Sequence, residues 1–549
     1  MSTQHAQGGV EPIAAANGVD KELVHILTPD VGGGFGAKIG AYPEELLLGV
    51  IAKKIGRAVK WRETRTESMM ALGHGRAQLQ YVTIGGTKAG KVTHYQLHAI
   101  QDAGGFADMG TILAPFMTRP MSSGVYAIPN IECRTTSVVT NTTPIVAYRG
   151  AGRPEATAAI ERAMDLFALE IGKDAAEVRR MNLIPKFLEP HTTVVGQTYD
   201  VGDYETALDK ALDAADYKAL RAEQAKRRAS GDAKQLGIGV SVYVEITGGV
   251  GNGESAKVEV LEDGRAVVYT GTSPHGQGHD TAWSMLVQEQ TGIPMDKIEL
   301  VWGDTDLVPV GTGTMGSRSL QQGGNAVFQV AGTLAEKAKS VAARLLEVSE
   351  ADVVLDKDRG AFHVVGTPAV TKTWADLAVA EKGTGGLLHD EVINVSGATF
   401  PFGAHVAVVE VDTETGRVKH LRQVACDDAG KVLNPMLLDG QIHGGIAQGV
   451  AQALLEEVLY DADGNPTTSN LADYGFISAA ELPNVEVIHM ETPTPVNAIG
   501  AKGIGESGTI GSTPAIQSAV VDAVSHLGVK HIEMPCTAER VWRAIQAAQ

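Results

Sequence analysis

Four glycine-rich loops hold most of the groups in this sequence that could do chemistry. They are Gly32-Gly33-Gly34-Phe35-Gly36-Ala37-Lys38, Gly276-Gln277-Gly278-His279, Gly311–Ser319 and Gly503-Ile504-Gly505-Glu506-Ser507-Gly508. Each precedes a helical pattern, so each offers loop N–H groups beside a positive helix end, a pairing that favours pyrophosphate-like anions. One such loop is ordinarily a connection. Four in one chain point to a large, polar, anionic cofactor. Glu506 is the lone carboxylate of the last loop, and its glycine neighbours would let a substrate approach a general base there. Burial favours the neutral acid and a nearby helix start favours the anion, so the sequence leaves its charge open.

Other signatures dissolve on inspection. Gly85–Val92 nearly fits a phosphate-binding loop, but Val92 stands where Ser or Thr should hold magnesium, and strand patterns flank it; a hairpin turn fits better. Gly311–Gly316 fits G-x-G-x-x-G without a βαβ unit or a downstream acid. Asp461–Asn465 lacks the later Glu of a calcium loop and reads as a turn. Cys133, Cys426 and Cys536 form no Cys-x-x-Cys or Cys/His cluster, so the chain has no ligand set for an iron–sulfur cluster or structural zinc.

Strand patterns at Glu22–Leu27, Gly237–Glu245, Lys257–Leu261 and Ala266–Thr270, and hairpins at Gln78–Asp102 and Val406–Asp427, would position these loops. Helices are expected at Pro43–Ile55, Pro154–Ile171, Asp174–Asn182, Tyr204–Ser230, His279–Thr291, Asn325–Val348, Asp439–Leu455 and Thr513–His526. The last would use Ser512 or Thr513 as its cap and Pro514 in its first turn. The charged stretch Lys218–Lys234 reads as an exposed connection between domains. The 549 residues suggest two to four domains, and 46 basic against 65 acidic side chains give a net charge of −19. That balance argues against nucleic acid or an anionic membrane as partner. No run of about 20 apolar residues is present to span a bilayer, and the first residues lack the basic flank and apolar core of a secretory signal; a cytoplasmic location is expected.

Taken in order, Pro29–Lys38, Ala147–Glu155, Gly276–Gly278, Gly303–Asp306, Gly311–Ser319, Asp427-Asp428 with Asn434-Pro435, Gln441–Gln448 and Gly503–Gly508 extend over essentially the whole chain. They resemble the large, molybdenum-binding subunit of the xanthine oxidase, aldehyde oxidase and carbon monoxide dehydrogenase family. The resemblance implies an α+β fold of two elongated molybdenum-cofactor-binding domains, 1–230 and 231–549, with the cofactor at their interface. It implies molybdenum held by the dithiolene of a pterin, usually as molybdopterin cytosine dinucleotide, with no protein metal ligand. Gln4, Gly34, Phe35 and Gly36 match residues beside the metal, and Gly276, Gln277, Gly278, Ser317, Arg318, Ser319, Gln441, Gly503 and Gly505 match cofactor contacts. Glu506 matches the catalytic base, which removes a proton so that water-derived oxygen can attack an electron-poor carbon.

The resemblance also implies partners: an iron–sulfur small subunit with [2Fe–2S] clusters and a medium subunit with FAD. Family large subunits carry a long segment ahead of the point that Ser2-Thr3-Gln4 matches, so a separate N-terminal large-subunit chain is expected as well. Departures bear on the small-molecule substrate. Ile39 replaces the Glu that binds purines, and Gly150 replaces the Cys that binds copper in carbon monoxide dehydrogenases. Arg149 is retained, to hold a substrate carbonyl or carboxylate or to make a structural ion pair. Val240, Ser241 and Glu245–Gly253 are assigned to the pocket wall. An aldehyde or an aromatic N-heterocycle is the expected substrate; the alternatives are a carbon monoxide dehydrogenase-like activity and a non-catalytic scaffold.

Overall fold

The computed structural model describes residues 1–249 and 253–548. Its helices and mixed sheets group into two compact units interleaved along the chain. The first comprises Met1–Trp61, Gly248–Gly397 and Pro495–Ala501; the second comprises Arg62–Thr247, Ala398–Thr494 and Lys502–Gln549. Segments 1–230 and 231–549, expected as successive domains, therefore each contribute to both units. The cause is packing: one apolar core joins Ile160, Met164 and Phe167 of the first segment to Ile238, Val240, Phe402 and Val424 of the second.

The second unit is built on a sheet of β1 (Lys234–Val244), β2 (Phe402–Asp412), β3 (Val418–Asp428) and β4 (Val485–Met490). The order is β4-β3-β2-β1, with β2 antiparallel to both neighbours and β4 parallel to β3. Side chains alternate across a strand. Ile238, Val240, Val242 and Val244 of β1 join Phe402 and Tyr204 in one apolar core. The opposite face of β1 begins with Gly237 and Gly239, and against it lies a helix. Helix α1 (Arg153–Ile171) joins that first core, whereas α2 (Pro435–Leu454) and α3 (Ser507–Val524) pack together on this side. A Cβ on Gly239 would stand 1.9 Å from the Ala515 carbonyl oxygen of α3, and one on Gly237 would stand 1.9 Å from that of Ala519. The bare backbone of β1 thus lets α3 lie directly on the sheet.

Helix α3 starts at Ser507, six residues before the expected Thr513, and runs through Pro514. The Ser512 and Thr513 hydroxyls donate within the helix to the Gly508 and Thr509 carbonyls, at 2.7 and 2.8 Å. The added turn packs on α2, where a Cβ on Gly445 would lie 3.0 Å from Gly508 Cα. Tertiary packing thus overrides the proline signal, and it moves Glu506 from a loop to the start of a helix.

Three further expectations change. Glu22–Leu27 forms a 3-10 turn at Lys21–Leu23 and a single bridge from Leu27 to Asp304 rather than a strand. Tyr204–Ser230 breaks into Tyr204–Ala214 and Tyr217–Ser230 around Asp216, whose φ is +50°. The charged stretch is a packed helix rather than a connection, because Arg221 Nη1 reaches Asp522 Oδ2 of α3 at 2.8 Å and Gln224 Nε2 donates to the same oxygen at 2.6 Å. The hairpin Gln78–Gly86 with Val92–Asp102 forms, and Gly85–Val92 is its turn.

The first unit holds a sheet in the order Leu387–Ile393, Glu254–Val260, Ala266–Thr270, Ile298–Val301. Helices His279–Thr291 and Asn325–Leu346 lie beside it. Among the described residues, no helix is long and apolar enough to cross a membrane.

Candidate functional site

In the first unit Gln4 ties two glycine loops together. Its Oε1 accepts from the Gly36 and Lys38 N–H groups at 2.9 and 3.2 Å, and its Nε2 donates to the Thr314 carbonyl at 2.9 Å. A Cβ on Gly34 would lie 2.5 Å from Gln4 Oε1, so only glycine lets the carboxamide lie flat on that loop. The third loop joins through Ser273, whose N–H donates to Thr314 Oγ1, and through His275, whose Nε2 contacts the Thr3 carbonyl at 3.3 Å. Gln277 turns its Oε1 back to accept from the His275 N–H.

Two residues in these loops hold a backbone that side chains rarely adopt: Phe35 and Ser317, both at φ +52°. Such strain persists where the surroundings impose it, commonly at binding sites. Phe35 is half exposed. Gly276 and Gly316 have positive φ and open space where a Cβ would stand. Gly278 caps the helix His279–Thr291, and His279 stacks on Trp283 with its Nδ1 buried and, among the described residues, without a hydrogen-bond partner. Burial pushes His279 down to about 3, so it stays neutral. Ser319 Oγ donates to Thr314 Oγ1. Three of the loops assigned to cofactor binding thus meet within the first unit, tied to one another through Gln4, Thr314 and His275.

Arg318, expected as a cofactor contact, turns its side chain inward. It is buried, pairs with the buried Glu254, and donates to the Gly313 and Gly253 carbonyls at 2.9 and 3.0 Å. A buried carboxylate needs a counter-charge, and Arg318 supplies it. It shapes the Gly311–Ser319 loop from within.

In the second unit the Gly503–Gly508 loop meets the segment before α1. Arg149 donates from Nε to the Gly505 carbonyl at 2.6 Å, from Nη2 to the Gln441 carbonyl at 2.9 Å and from Nη1 to Gln448 Oε1 at 3.3 Å. These bonds fix the loop that leads to Glu506, with Gly503 buried and Gln441 half-buried at the start of α2. Glu506 Oε1 accepts from the Gly150 N–H at 2.7 Å, and its Oε2 accepts from Arg153 Nη2 at 3.1 Å. Both oxygens are aimed by this chain, and the side chain remains 14% exposed, so it is held yet reachable.

The donor from Gly150 depends on an unusual backbone. Gly150, Ala151 and Gly152 have φ of +101°, +27° and +90°. A Cβ on Gly150 would stand 2.5 Å from Pro154 Cγ.

One member of this cluster, Glu245, was legible only as part of a possible pocket wall. It follows β1 on the face that lies against α3, is fully buried, accepts from Ser507 Oγ at 2.6 Å and contacts Arg153 Nη2 at 3.3 Å. Burial, then the neighbouring Glu506, push its carboxyl up to about 8, against the pull of Arg153. The only signal in the sequence was period-two alternation, which puts Glu245 on the face of Gly237, Gly239 and Ser241.

This shift has a stability consequence. Between the ordinary value of 4.5 and about 8, folded Glu245 keeps a proton that the unfolded chain has released. Stability contributed below that window is therefore lost as pH rises through it, by at most about 1.4 kcal/mol per pH unit. Glu245→Gln is expected to remove that slope relative to the parent protein, as read from denaturation midpoints across the window; parallel curves would contradict the assignment.

The remaining candidates lie elsewhere. Val240 is in the apolar core and Ser241 is fully buried under α3, so both are interior to the sheet rather than on a cavity wall. Their burial follows from β1 being covered on both faces. Ile39 is half-buried beyond the Phe35 loop. Val250–Asn252, within the assigned wall segment, lie outside the described residues.

Comparison with known proteins gives a uniform result. Two family models, each described as a molybdopterin cofactor-binding domain, match residues 1–183 and 210–483. The carbon monoxide dehydrogenase large chain of Hydrogenophaga pseudoflava is 39% identical, the match covering 97% of this chain and 69% of the relative. The nicotine 6-hydroxylase large subunit of Paenarthrobacter nicotinovorans is 33% identical over 96% of this chain and 67% of its own. Among solved structures, Cu,Mo-CO dehydrogenase superposes with a TM-score of 0.93 at 34% identity, covering 100% of this chain and 71% of that one. Quinoline 2-oxidoreductase from Pseudomonas putida 86 gives 0.92 at 32% identity, covering 99% and 72%.

Proposed function

Because the chain belongs to the molybdopterin-binding large subunits of the xanthine oxidase, aldehyde oxidase and carbon monoxide dehydrogenase family, oxidoreductases of the molybdenum hydroxylase type, we propose that it oxidises an aldehyde or an N-heterocyclic carbon with water-derived oxygen. The electrons pass to [2Fe–2S] clusters and FAD on partner subunits, and the pterin is the cytosine dinucleotide. The observation that carries this reading is the Glu506 carboxylate, half-buried and gripped by the Gly150 N–H and Arg153 at the start of α3.

The residues present fit a molybdopterin cofactor. Gly276 and Gly316 leave open space where a Cβ would stand, and among the described residues the buried Nδ1 of His279 has no hydrogen-bond partner. Gln4, Gly34, Phe35 and Gly36, with Gly276–Gly278, Ser317 and Ser319, would hold it through backbone N–H groups and short polar side chains. Gln441, Gly503 and Gly505 are assigned to the cofactor on the family resemblance, with the Gln441 and Gly505 carbonyls held by Arg149. The bound group supplies the two-electron oxidation. Glu506 supplies the base: it accepts a proton at its carboxylate, while Arg153 and the Gly150 N–H keep that carboxylate aimed. Arg149 fixes the loop that leads to it.

Two relatives in hand oxidise N-heterocycles by name, nicotine and quinoline, which supports that substrate class. Purines are disfavoured by Ile39. A copper-dependent carbon monoxide reaction is disfavoured at Gly150, where a side chain would collide with Pro154. The test is molybdenum per chain in the complex isolated from its own source with partners retained. About one molybdenum per chain, with iron and flavin, is expected. A flavin-containing complex without molybdenum would instead favour a non-catalytic scaffold.

A further inference from the structure

Arg153 is shared. A single nitrogen, Nη2, faces Glu506 Oε2 at 3.1 Å and Glu245 Oε1 at 3.3 Å. Its other terminal nitrogen donates to the Ala151 carbonyl at 3.0 Å. The Arg153 and Glu245 side chains are 4% and 0% exposed, so water does little to screen the contest between the two carboxylates. Ser507 adds a link, since it follows Glu506 and its hydroxyl donates to Glu245 Oε2.

We infer that Glu245 is a positioning residue for Glu506: it competes for the Arg153 guanidinium that helps to hold the Glu506 carboxylate, and its own protonation decides how firmly Arg153 holds that carboxylate. The inference rests on Glu506 being the base. With Glu245 protonated, the Arg153 charge is committed to Glu506. With Glu245 ionised, Arg153 divides between two anions, and the added negative charge makes Glu506 a stronger base.

The charged and titratable groups around Glu245 agree with this. Glu506 comes from the start of α3, Arg153 from the start of α1 and Tyr243 from β1, while Arg149 and Glu155 act on the pair from the segments flanking Arg153. Tyr243 is occupied with Asp427, to which its hydroxyl donates at 2.7 Å. Burial and Glu506 place the Glu245 transition at about 8, inside a range where turnover is measurable.

Glu245→Gln is the test, since the carboxamide keeps the shape, its oxygen can accept from Arg153 and its NH2 can donate to the Ser507 hydroxyl oxygen, while the titration is lost. Two readouts are made on the assembled complex. The first is infrared spectroscopy of carboxyl groups, which needs no turnover. A protonated carboxyl band at neutral pH is expected in the parent complex, lost on alkalinisation and absent from Glu245→Gln. The second is the pH profile of kcat, in which the parent shows an upward inflection above neutrality that the variant loses. A parent without the band, or a variant whose profile superimposes on the parent's throughout, overturns the inference. Should Glu506→Gln stay active while the band behaves as expected, the base assignment falls, and with it the coupling of Glu245 to turnover, although the buried proton stands.

Discussion

Glu506→Gln should lower kcat by about 10²–10⁴-fold while molybdenum content and thermal midpoint stay close to those of the parent complex. The structure separates the two effects. Glutamine retains an oxygen to accept from the Gly150 N–H or Arg153, and the Glu506 side chain makes no capping bond to α3 that folding would miss. What is lost is the capacity to take a proton. Without the Glu506 charge, which pushes the Glu245 carboxyl up, Glu245 can ionise at Arg153 Nη2, so the cation is not stranded. That limits the stability cost, because the expensive event is a buried charge without a partner. Glu506→Asp should fall between parent and glutamine variant, since a side chain shorter by one methylene cannot meet both donors in the same pose. The measurement is steady-state turnover per molybdenum with whichever aldehyde or N-heterocycle proves to be the substrate. Turnover within a few-fold of the parent would remove Glu506 from the mechanism.

Much of this was readable from residue types in order. The four glycine loops, the isolated carboxylate and the hairpin nature of Gly85–Val92 follow from spacing alone, because tight turns and close backbone approach are local demands. The family motifs added the cofactor. What escaped was set by distant packing. Pro514 and the Ser512-Thr513 pair read as a helix start, but burial of α3 against β1 and α2 extends that helix back to Ser507. Arg318 sits in a glycine-rich loop like a phosphate ligand, and nothing local reveals that Glu254 waits beneath it. The run of charges after Lys218 looks solvated until Asp522, about 300 residues away, is found facing Arg221. Strand Glu22–Leu27 failed for the converse reason: its pattern was right, but it found only short backbone contacts at Gly303–Thr305. Ion-pair partners and strand edges are non-local, and a single chain read in order does not display them.

Gly239→Ala should be among the most damaging single-methyl changes available to this protein, above the ~4–5 kcal/mol that marks exceptional substitutions. The new Cβ would stand 1.9 Å from the Ala515 carbonyl oxygen and 2.5 Å from the Ala519 nitrogen. Both are backbone atoms of a helix buried along nearly its whole length, so no rotamer change relieves the clash. Against this, alanine gains only about 0.5–1 kcal/mol over glycine from the lower entropy of the unfolded strand. The overlap decides the sign. Relief requires α3 to lift from β1, and the first turn of α3 carries Glu506 and Ser507, whose bonds to Arg153, Gly150 and Glu245 span about 3 Å or less. A displacement of that order breaks them. Activity is therefore expected to fall along with the denaturation midpoint, in contrast to Glu506→Gln, where only activity falls. Gly85→Ala in the hairpin is the control, because nothing lies within 4 Å of its Cβ position, and it should lower neither quantity. If Gly239→Ala folded with an unchanged midpoint, the seating of α3 on bare β1 backbone would be wrong, and so would the placement of Glu506 that depends on it.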